Sequence, residues 1–283
     1  MVIDFRVRPP YKGFKTIPFV PPSSTPDPVT MFGLHVDMDP IPSWEQKSMR
    51  LFMVEMDAAG IDMAVTMARF APGWGNVPAE DVAELVKEYP GRFFGFGAVD
   101  GKDPLSAIRE VENIAKLGLQ GVAMDNPRST PPLYDDDERL LPIYRRCEEL
   151  GLLLSLTSSI FIGPDVSYSM PVHVQRIARQ FPKLTIIVPH GAWPWTVQMC
   201  AVAFQCTNVY LAPDFYMYLP NMPGADEYVK STNYFLSHRL VYSSSYPVRP
   251  LKQSLEQFRK LHFASKQILQ RCLHANAARL LKL

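Results

Sequence analysis

The chain has 283 residues, of which 47% are hydrophobic and 20% are charged. This composition is typical of a folded globular protein and excludes a disordered chain. With 29 basic and 28 acidic residues, the net charge of +1 excludes the basic character of proteins that bind nucleic acid or membrane surfaces. No apolar run approaches the roughly 20 residues of a membrane-spanning helix. The four cysteines form no Cys-x-x-Cys pair and Met1 leads directly into an apolar strand, so we expect reduced thiols and a cytoplasmic location.

Short apolar runs alternate along the chain with longer segments of helical spacing. This alternation predicts parallel β-strands joined by crossover helices. The strands are predicted at residues 2–8, 61–67, 93–99, 119–124, 152–157, 184–189, 207–212 and 239–244. Eight such units favour an α/β fold of the (β/α)8 TIM-barrel type over an open sheet, because no G-x-G-x-x-G or Walker lysine motif follows a strand. No change in composition marks a second domain, so residues 1–283 are expected to form one.

Short polar residues and glycines mark the predicted ends of several helices. The predicted start signals are Ser43 with Gln46, Asp103 with Pro104, and Asp136, and the predicted stop signals are Gly60, Gly118 and Gly151. Residues 265–282 predict an extra helix after the eighth strand–helix unit.

Residues 9–42 contain nine prolines and separate the first strand from its helix. A loop of this length in a compact domain is usually a lid, a binding loop or a contact with another chain, and the remaining alternative is disorder. We interpret it as a lid or as the arm of a homodimer or larger homo-oligomer.

The first strand, Ile3-Asp4-Phe5-Arg6-Val7-Arg8, alternates apolar and charged residues. Because side chains alternate between the two faces of a strand, the apolar residues are expected to face the helices and the charged residues to face the barrel interior. A buried guanidinium needs an acidic partner. Arg6 and Arg8 therefore either form internal ion pairs or hold the carboxylate of a substrate, and the second interpretation is favoured for Arg8, nearer the mouth.

His190 follows the sixth predicted strand and is the best candidate for proton transfer. The alternative is a buried histidine that is bonded to the backbone. Asp214 ends the seventh strand and could orient His190, pair with an arginine or accept a proton. Polar residues also end other strands, and those expected to position a substrate are Asp125, Thr157, Ser245 and Tyr246. Arg69 ends the second strand. The histidines form no His-x-His or H-E-x-x-H motif, so the chain carries no local metal signature.

Several segments resemble the amidohydrolase-related (amidohydrolase 2) family over nearly the whole chain. They are Ile3-Asp4-Phe5-Arg6-Val7-Arg8-Pro9-Pro10, Gly95-Phe96-Gly97-Ala98-Val99, Pro189-His190-Gly191-Ala192-Trp193-Pro194-Trp195, Ser244-Ser245-Tyr246-Pro247 and Asn276-Ala277-Ala278-Arg279-Leu280-Leu281. The resemblance implies a TIM barrel and chemistry on small carboxylates, since the family includes decarboxylases, a hydratase and a lactonase.

The resemblance also implies one divalent metal, held by His-x-His on the first strand, a histidine on the fifth and an aspartate on the eighth. In this chain those positions carry Arg6 and Arg8, Thr157, and Ser245, and only the sixth-strand histidine remains, as His190. Arginine has no lone pair for a metal. No metal or other cofactor is therefore predicted, and the alternative is a rearranged site in which His190 and Asp214, with Asp125, bind a metal such as zinc.

The leading hypothesis is a metal-independent hydrolase or lyase that acts on a small carboxylate. Arg6 and Arg8 hold the anion, His190 is the general acid or base, and Asp214 orients His190 or balances the arginines. The second hypothesis is a metal-dependent hydrolase or decarboxylase with rearranged ligands. The third is a barrel that binds a metabolite without catalysis.

Overall fold

The computed structural model describes residues 1–17, 38–71, 73 and 75–283. Within these residues seven parallel strands form one sheet, in which each strand pairs with the next along the chain. The strands are β1 (Ile3–Val7), β2 (Met63–Met67), β3 (Phe93–Ala98), β4 (Gly121–Met124), β5 (Leu153–Leu156), β6 (Ile186–Pro189) and β7 (Val209–Ala212). All seven lie within predicted strands, and the (β/α)8 barrel prediction is confirmed.

Residues 239–246, which we call the closing segment, lie where an eighth strand is predicted. They form isolated bridges and no regular strand: Leu240 pairs in parallel with Leu211, and Tyr246 with Val7. The amide of Phe5 donates a hydrogen bond of 2.9 Å to the carbonyl of Tyr242. The closing segment therefore joins β7 to β1 and brings the barrel close to complete closure.

Helices cover the outside of this barrel. They are α1 (Pro42–Glu45), α2 (Met49–Ala59), α3 (Ala79–Glu88), α4 (Pro104–Lys116), α5 (Leu141–Leu150), α6 (Pro171–Gln180), α7 (Thr196–Gln205), α8 (Phe215–Tyr218), α9 (Ala225–Ser231), α10 (Leu251–Arg259), α11 (Lys266–Gln270) and α12 (Asn276–Leu281). Short 3₁₀ turns occupy Lys12–Lys15, Asn126–Arg128, Glu138–Leu140, Val166–Ser169 and His190–Ala192, and π-helical turns occupy Thr232–Leu236 and Arg271–Ala275. The predicted extra helix at 265–282 is confirmed as α11, a π-helical turn and α12 in succession.

Two of the predicted helix starts are wrong. Ser43 lies inside α1, where its backbone amide and its hydroxyl both donate hydrogen bonds to the Glu55 carboxylate. The residue that caps α2 is Ser48, whose side chain accepts a hydrogen bond from the amide of Leu51. Asp136 does not open α5, because its carboxylate is bonded to His173 and Arg176 on α6. In both places the polar side chain forms a tertiary contact that the local spacing did not reveal.

The other end signals are confirmed. Asp103 accepts hydrogen bonds from the amides of Leu105 and Ser106 at the start of α4. Gly60, Gly118 and Gly151 each follow a helix with a positive φ of 65–75°, the conformation that glycine adopts most readily.

A β-bulge divides β1 into two parts. Asp4 lies opposite Ala64 and Val7 lies opposite Thr66, so three residue steps in β1 correspond to two in β2. Before the bulge the residues alternate as predicted, but the predicted assignment of the apolar residues to the helix-facing side is wrong. Ile3 and Phe5 pack in the barrel interior, in a buried cluster to which all seven strands contribute, and Asp4 turns to the helix-facing side. After the bulge Val7 packs outside the barrel, so that Arg6 and Arg8 face the barrel mouth.

The floor of the barrel is closed by α12. Ala277, Ala278, Leu280 and Leu281 join the interior cluster beneath the first strand. Within that cluster the edge of the Phe5 ring contacts Phe96, with ring centres 6.1 Å apart. The floor is therefore solid packing, and open space for a ligand lies at the opposite, C-terminal end of the strands, as in other barrels of this type.

Most of the proline-rich segment at 9–42 lies outside the described residues, including 18–37, so its interpretation as a lid or dimer arm remains a prediction. Across the described residues no helix is long and apolar enough to cross a membrane. The four cysteines are buried and form no disulfide.

Candidate active site

His190, Asp214, Ser245 and Arg6 meet at the barrel mouth. Nδ1 of His190 lies 2.7 Å from Oδ2 of Asp214. The hydroxyl of Ser245 donates to the same Asp214 oxygen at 2.6 Å and accepts from Arg6 at 2.9 Å. A guanidinium nitrogen of Arg6 lies 3.5 Å from this oxygen. One buried carboxylate oxygen therefore joins the four residues, which we call the proton-transfer cluster.

The backbone of this cluster is strained at three positions. The φ angles of His190, Asp214 and Ser245 are 64°, 48° and 59°, values that residues other than glycine rarely adopt. Strain of this kind persists only when the surroundings enforce it, and it concentrates at functional sites. At the ends of β6, β7 and the closing segment, these backbone conformations direct the three side chains toward each other across the mouth.

The surroundings of His190 favour the neutral imidazole. Burial lowers the pKa of His190; the Asp214 carboxylate opposes this shift, and the charge of Arg6 adds to it. The edges of Phe215 and Tyr216 flank the ring, with centres 5.9 and 5.7 Å away. Because Nδ1 faces Asp214, Nε2 is the nitrogen that remains for a substrate. The arrangement can accept a proton at Nε2 and return it.

The other half of the mouth is cationic. A small cavity is lined by Arg6, Arg8, Met67, Ala68, Arg69, Phe70, Ala98, Ala123, Asp125 and Thr157. Burial acts to raise the pKa of Asp125, but the charges of Arg128, Arg69 and Arg8 outweigh it and lower that pKa to about 2. Asp125 is therefore ionised, and Thr157 bonds to its side chain. We call Arg8, Arg69, Arg128 and Asp125 the arginine cluster.

Two members of the arginine cluster were not among the predicted site residues. Arg69 lies two residues beyond the end of β2, and Arg128 follows Asp125 by three residues in the 3₁₀ turn after β4. Burial lowers the pKa of Arg128 to about 9, so it remains charged at neutral pH. Arg69 could have been selected as a polar strand-end residue, whereas the turn that carries Arg128 gives no signal in the sequence.

A buried network holds the loop that carries Asp125 and Arg128. The amide of Asn126 donates to Asp135 at 2.8 Å and to the hydroxyl of Tyr144 at 3.1 Å, and Tyr144 donates to the carbonyl of Asp135. Burial raises the pKa of Asp135 to about 7. This network fixes the turn after β4 against α5 and so places Asp125 at the mouth.

The predicted site residues divide between two places. His190, Asp214, Arg6 and Ser245 form the proton-transfer cluster, and Arg8, Asp125 and Thr157 lie in or beside the arginine cluster. Tyr246 lies elsewhere, because its hydroxyl is 2.6 Å from that of Ser43 and its ring packs on Phe52 at 4.8 Å. It faces the helices, where it fixes α1 and α2 to the closing segment.

Asp4 does not serve as the counter-ion of Arg6. Its carboxylate accepts hydrogen bonds from the amides of Arg6 and Ser244 at 3.1 and 2.9 Å. Burial raises the pKa of Asp4 to about 7. It therefore fastens the closing segment to β1, and the charged partner of Arg6 is Asp214.

The side chains at the mouth do not fit the divalent metal that the family resemblance implies. Among the described residues there is no group of three or more histidine, cysteine or acidic side chains that could hold one. Two guanidinium groups occupy the first-strand ligand positions, and a guanidinium offers no lone pair and repels a cation. Of the rearranged set, Asp214 is engaged by Arg6 and Ser245, while Asp125 lies among the arginines.

Comparisons with known proteins agree with this architecture. A TIM-barrel protein from Bordetella bronchiseptica, Bb4693, is 36% identical over 99% of this chain and 98% of that chain, with a TM-score of 0.92. The 5-carboxyvanillate decarboxylase LigW of Sphingomonas paucimobilis is 20% identical over 100% of this chain and 98% of its own, with a TM-score of 0.69. The 2,6-dihydroxybenzoate decarboxylase of Rhizobium is 17% identical over 99% and 98%, with a TM-score of 0.67.

One curated relative matches over a shorter stretch. The 2-amino-3-carboxymuconate-6-semialdehyde decarboxylase of Dictyostelium discoideum is 32% identical over 87 residues, which are 30% of this chain and 24% of that protein. The chain thus spans about a quarter of the curated relative's length. The family model described as Amidohydrolase matches residues 19–283. With this match over most of the barrel, the chain belongs to the amidohydrolase family of enzymes.

Proposed function

We propose that the protein is a lyase that acts on a small organic carboxylate without a metal, and that decarboxylation is its reaction. The observation that carries the proposal is the contact between His190 and Asp214 beside four arginines, of which Arg6 and Arg69 are buried and Arg8 and Arg128 are half-buried. A neutral imidazole with a carboxylate behind it can exchange a proton, and guanidinium groups bind carboxylates in a planar, bidentate geometry. The groups for proton exchange and the groups for carboxylate binding both lie at the barrel mouth.

In a decarboxylation the bond between the substrate carbon and its carboxylate breaks, and carbon dioxide leaves. The electron pair stays on the carbon and needs a conjugated ring or carbonyl to spread into. Arg6 and Arg8 would stabilise that negative charge by electrostatics. His190, protonated from solvent, would then give its proton to the carbon through Nε2, which completes a reaction that consumes one proton in total.

The comparisons support decarboxylation over hydrolysis as the first reaction to test. Three of the similar proteins are named as decarboxylases of 5-carboxyvanillate, 2,6-dihydroxybenzoate and 2-amino-3-carboxymuconate-6-semialdehyde. Hydrolysis of a lactone is the second candidate. It is favoured by the lowered pKa of His190, because a neutral imidazole can activate water as a general base.

The test is a screen of aromatic and unsaturated carboxylic acids for release of carbon dioxide, with lactones followed in parallel by acid release. Each assay is run with chelator, with wild type and with His190→Gln. The control is His262→Gln, which changes an exposed histidine outside the mouth. We expect turnover in wild type and the control, and a loss of at least 100-fold in His190→Gln. Equal rates in wild type and His190→Gln would remove His190 from the mechanism.

A further inference from the structure

The turn that carries His190 has an unusual backbone. His190, Gly191 and Ala192 have φ angles of 64°, 58° and 59°, so three consecutive residues have positive φ. Residues with a Cβ rarely adopt such angles, because the Cβ and the carbonyl groups of the backbone come too close. The turn therefore depends on contacts from outside it, and these contacts also set the direction of the imidazole.

Two hydrogen bonds join this turn to the segment that follows β7. The hydroxyl of Tyr228 donates to the carbonyl of Gly191 at 2.9 Å, and Nε1 of Trp193 donates to the carbonyl of Pro223 at 2.8 Å. Tyr228 lies on α9 and is fully buried, whereas the bond of Trp193 lies near the surface. A buried hydrogen bond is costly to break, because water cannot satisfy the groups that are left behind. Of the two bonds, that of Tyr228 is therefore the stronger restraint on the turn.

The contact between Tyr228 and Gly191 leaves the turn little room to move. A Cβ at position 191 would lie 2.8 Å from Oη of Tyr228 and 3.0 Å from Cβ of Pro213. Pro213 precedes Asp214, the residue whose carboxylate faces His190. The turn is thus packed against both Tyr228 and the end of β7, so a displacement of Gly191 would change the distance between His190 and Asp214.

We propose that Tyr228 is a positioning residue for His190. Its hydroxyl holds the carbonyl of Gly191, which keeps Nδ1 of His190 at Asp214 and leaves Nε2 to face the mouth. Tyr228 acts through the backbone of Gly191 and takes no part in proton transfer itself. This inference rests on the proposed function, and it extends the residues on which that function depends to α9.

The hydroxyl of Tyr228 remains a hydrogen-bond donor over the whole working range of pH. Burial raises the pKa of Tyr228, and the negative charge of Asp214 acts in the same direction. A phenol that does not ionise keeps its O–H, so the bond to Gly191 persists at pH values where His190 gains or loses a proton. The restraint therefore acts on both protonation states of His190.

The first test is the tautomer of His190 in the free protein, which requires no substrate. A carboxylate only accepts hydrogen bonds, so a neutral imidazole held at Asp214 carries its proton on Nδ1. Nitrogen NMR of the imidazole reports which ring nitrogen is protonated, and His190→Gln assigns the signal. We expect the Nδ1 tautomer in wild type and a mixture of both tautomers in Tyr228→Phe.

Tyr246→Phe is the matched control. It also removes the hydroxyl of a buried tyrosine, but the contact of that hydroxyl with Ser43 lies on the helix side of the closing segment. Both variants should lose a similar free energy of unfolding, whereas only Tyr228→Phe should change the tautomer of His190. If Tyr228→Phe keeps the wild-type tautomer, Tyr228 has a purely structural role and the inference is overturned.

Steady-state kinetics on the substrate found in the screen provide the second test. Tyr228→Phe should lower kcat about 10-fold and change KM less than about 2-fold, since the loss of one buried hydrogen bond corresponds to about that factor in rate. Tyr246→Phe should leave both values unchanged. An unchanged kcat in Tyr228→Phe, or an effect confined to KM, would contradict the positioning role.

The two proposals can fail separately. If wild type turns over no ligand while the tautomer changes only in Tyr228→Phe, the restraint on His190 is supported and the proposed function is contradicted. If wild type decarboxylates a substrate and Tyr228→Phe does so with the same kcat, the proposed function is supported and the positioning role is overturned.

Discussion

Nδ1 of His190 lies 2.7 Å from Oδ2 of Asp214, a carboxylate whose side chain is fully buried. The carboxylate is held in turn by Ser245 and by the charge of Arg6. An aspartate that orients a histidine in this way fixes which ring nitrogen faces the substrate. The proposed chemistry at Nε2 therefore depends on how Asp214 and Ser245 are held, as well as on the residues that contact the substrate.

Ser245→Ala should impair positioning of Asp214 and leave anion binding intact. The variant removes the hydrogen bonds to Asp214 and Arg6, and we expect kcat to fall about 10-fold while KM changes little, because a lost bond to a charged group is worth roughly 1.5 kcal/mol or more. Steady-state kinetics on the substrate found in the screen measure both values. A change confined to KM would contradict a positioning role.

Asp214→Asn should destabilise the protein as well as abolish turnover. The substitution leaves Arg6 buried without its counter-ion, and removal of one partner from a buried ion pair typically costs about 3–5 kcal/mol. Denaturant unfolding measures the change. The paired variant Asp214→Asn with Arg6→Met should be more stable than Asp214→Asn alone, since the stranded charge is gone. A double variant as unstable as the sum of both single losses would argue against the ion pair.

The pKa of His190 should lie below 6.5 in the free protein and rise when an anion binds. Burial and the charges of Arg6 and Arg8 lower it, while Asp214 opposes that shift, so neutralisation of the arginines by a ligand removes part of the lowering. The imidazolium form is therefore scarce at pH 7 until the ligand is bound, and binding takes up a proton. Imidazole NMR titration with and without a dicarboxylate measures this, with His190→Gln to assign the signal. A pKa that does not move on binding would contradict the coupling.

The stability difference between Asp135→Asn and wild type should depend on pH. The pKa of Asp135 is raised to about 7 by burial, and its value in the unfolded chain is near 3.8. The folded state thus favours the protonated acid, so wild type loses stability as the pH rises from about 4 to about 7. The free energy of unfolding of Asp135→Asn relative to wild type should rise over this range. A difference that is constant with pH would mean that the carboxyl group titrates normally.

Tyr246→Phe should cost stability and spare activity. The hydroxyl lies 2.6 Å from that of Ser43 in a buried contact on the helix side of the closing segment. Loss of one such hydrogen bond should lower the free energy of unfolding by about 1 kcal/mol, with turnover and anion binding unchanged. Unfolding curves and the carbon dioxide assay measure the two effects. Loss of turnover in a stably folded variant would show that Tyr246 contributes to activity, as the sequence predicted.

The sequence is most informative where its signals are local. The alternation of apolar runs and helical segments predicted all seven strands, and glycines with positive φ marked helix ends correctly. His190, Asp214 and Ser245 could be selected because polar residues at strand ends meet at the mouth of a barrel. Their mutual contacts, by contrast, depend on positive φ angles, which could not be predicted because none of the three residues is a glycine.

Other features were beyond the reach of sequence patterns for physical reasons. Ser43 and Asp136 have the spacing of helix caps, yet each forms a bond with a distant residue that outweighs the local one. Arg128 lies in a turn, where no periodicity indicates the direction of a side chain. Tyr246 is the last residue of the closing segment, and the direction of its side chain depends on the register of a segment that never becomes a regular strand.

The β-bulge in β1 separates the residues that pack in the barrel interior from the residues that face the mouth. Below it, Ile3 and Phe5 are constrained by the shape of the packed interior, and above it, Arg6 and Arg8 face the mouth, where Arg6 is held by Asp214 and Ser245. Substitutions at Arg8 should therefore alter ligand choice without disturbing the packed interior below the bulge. A one-residue deletion here would exchange the two faces and set guanidinium groups against hydrocarbon, so the chain tolerates new chemistry at this strand far better than a change in its length.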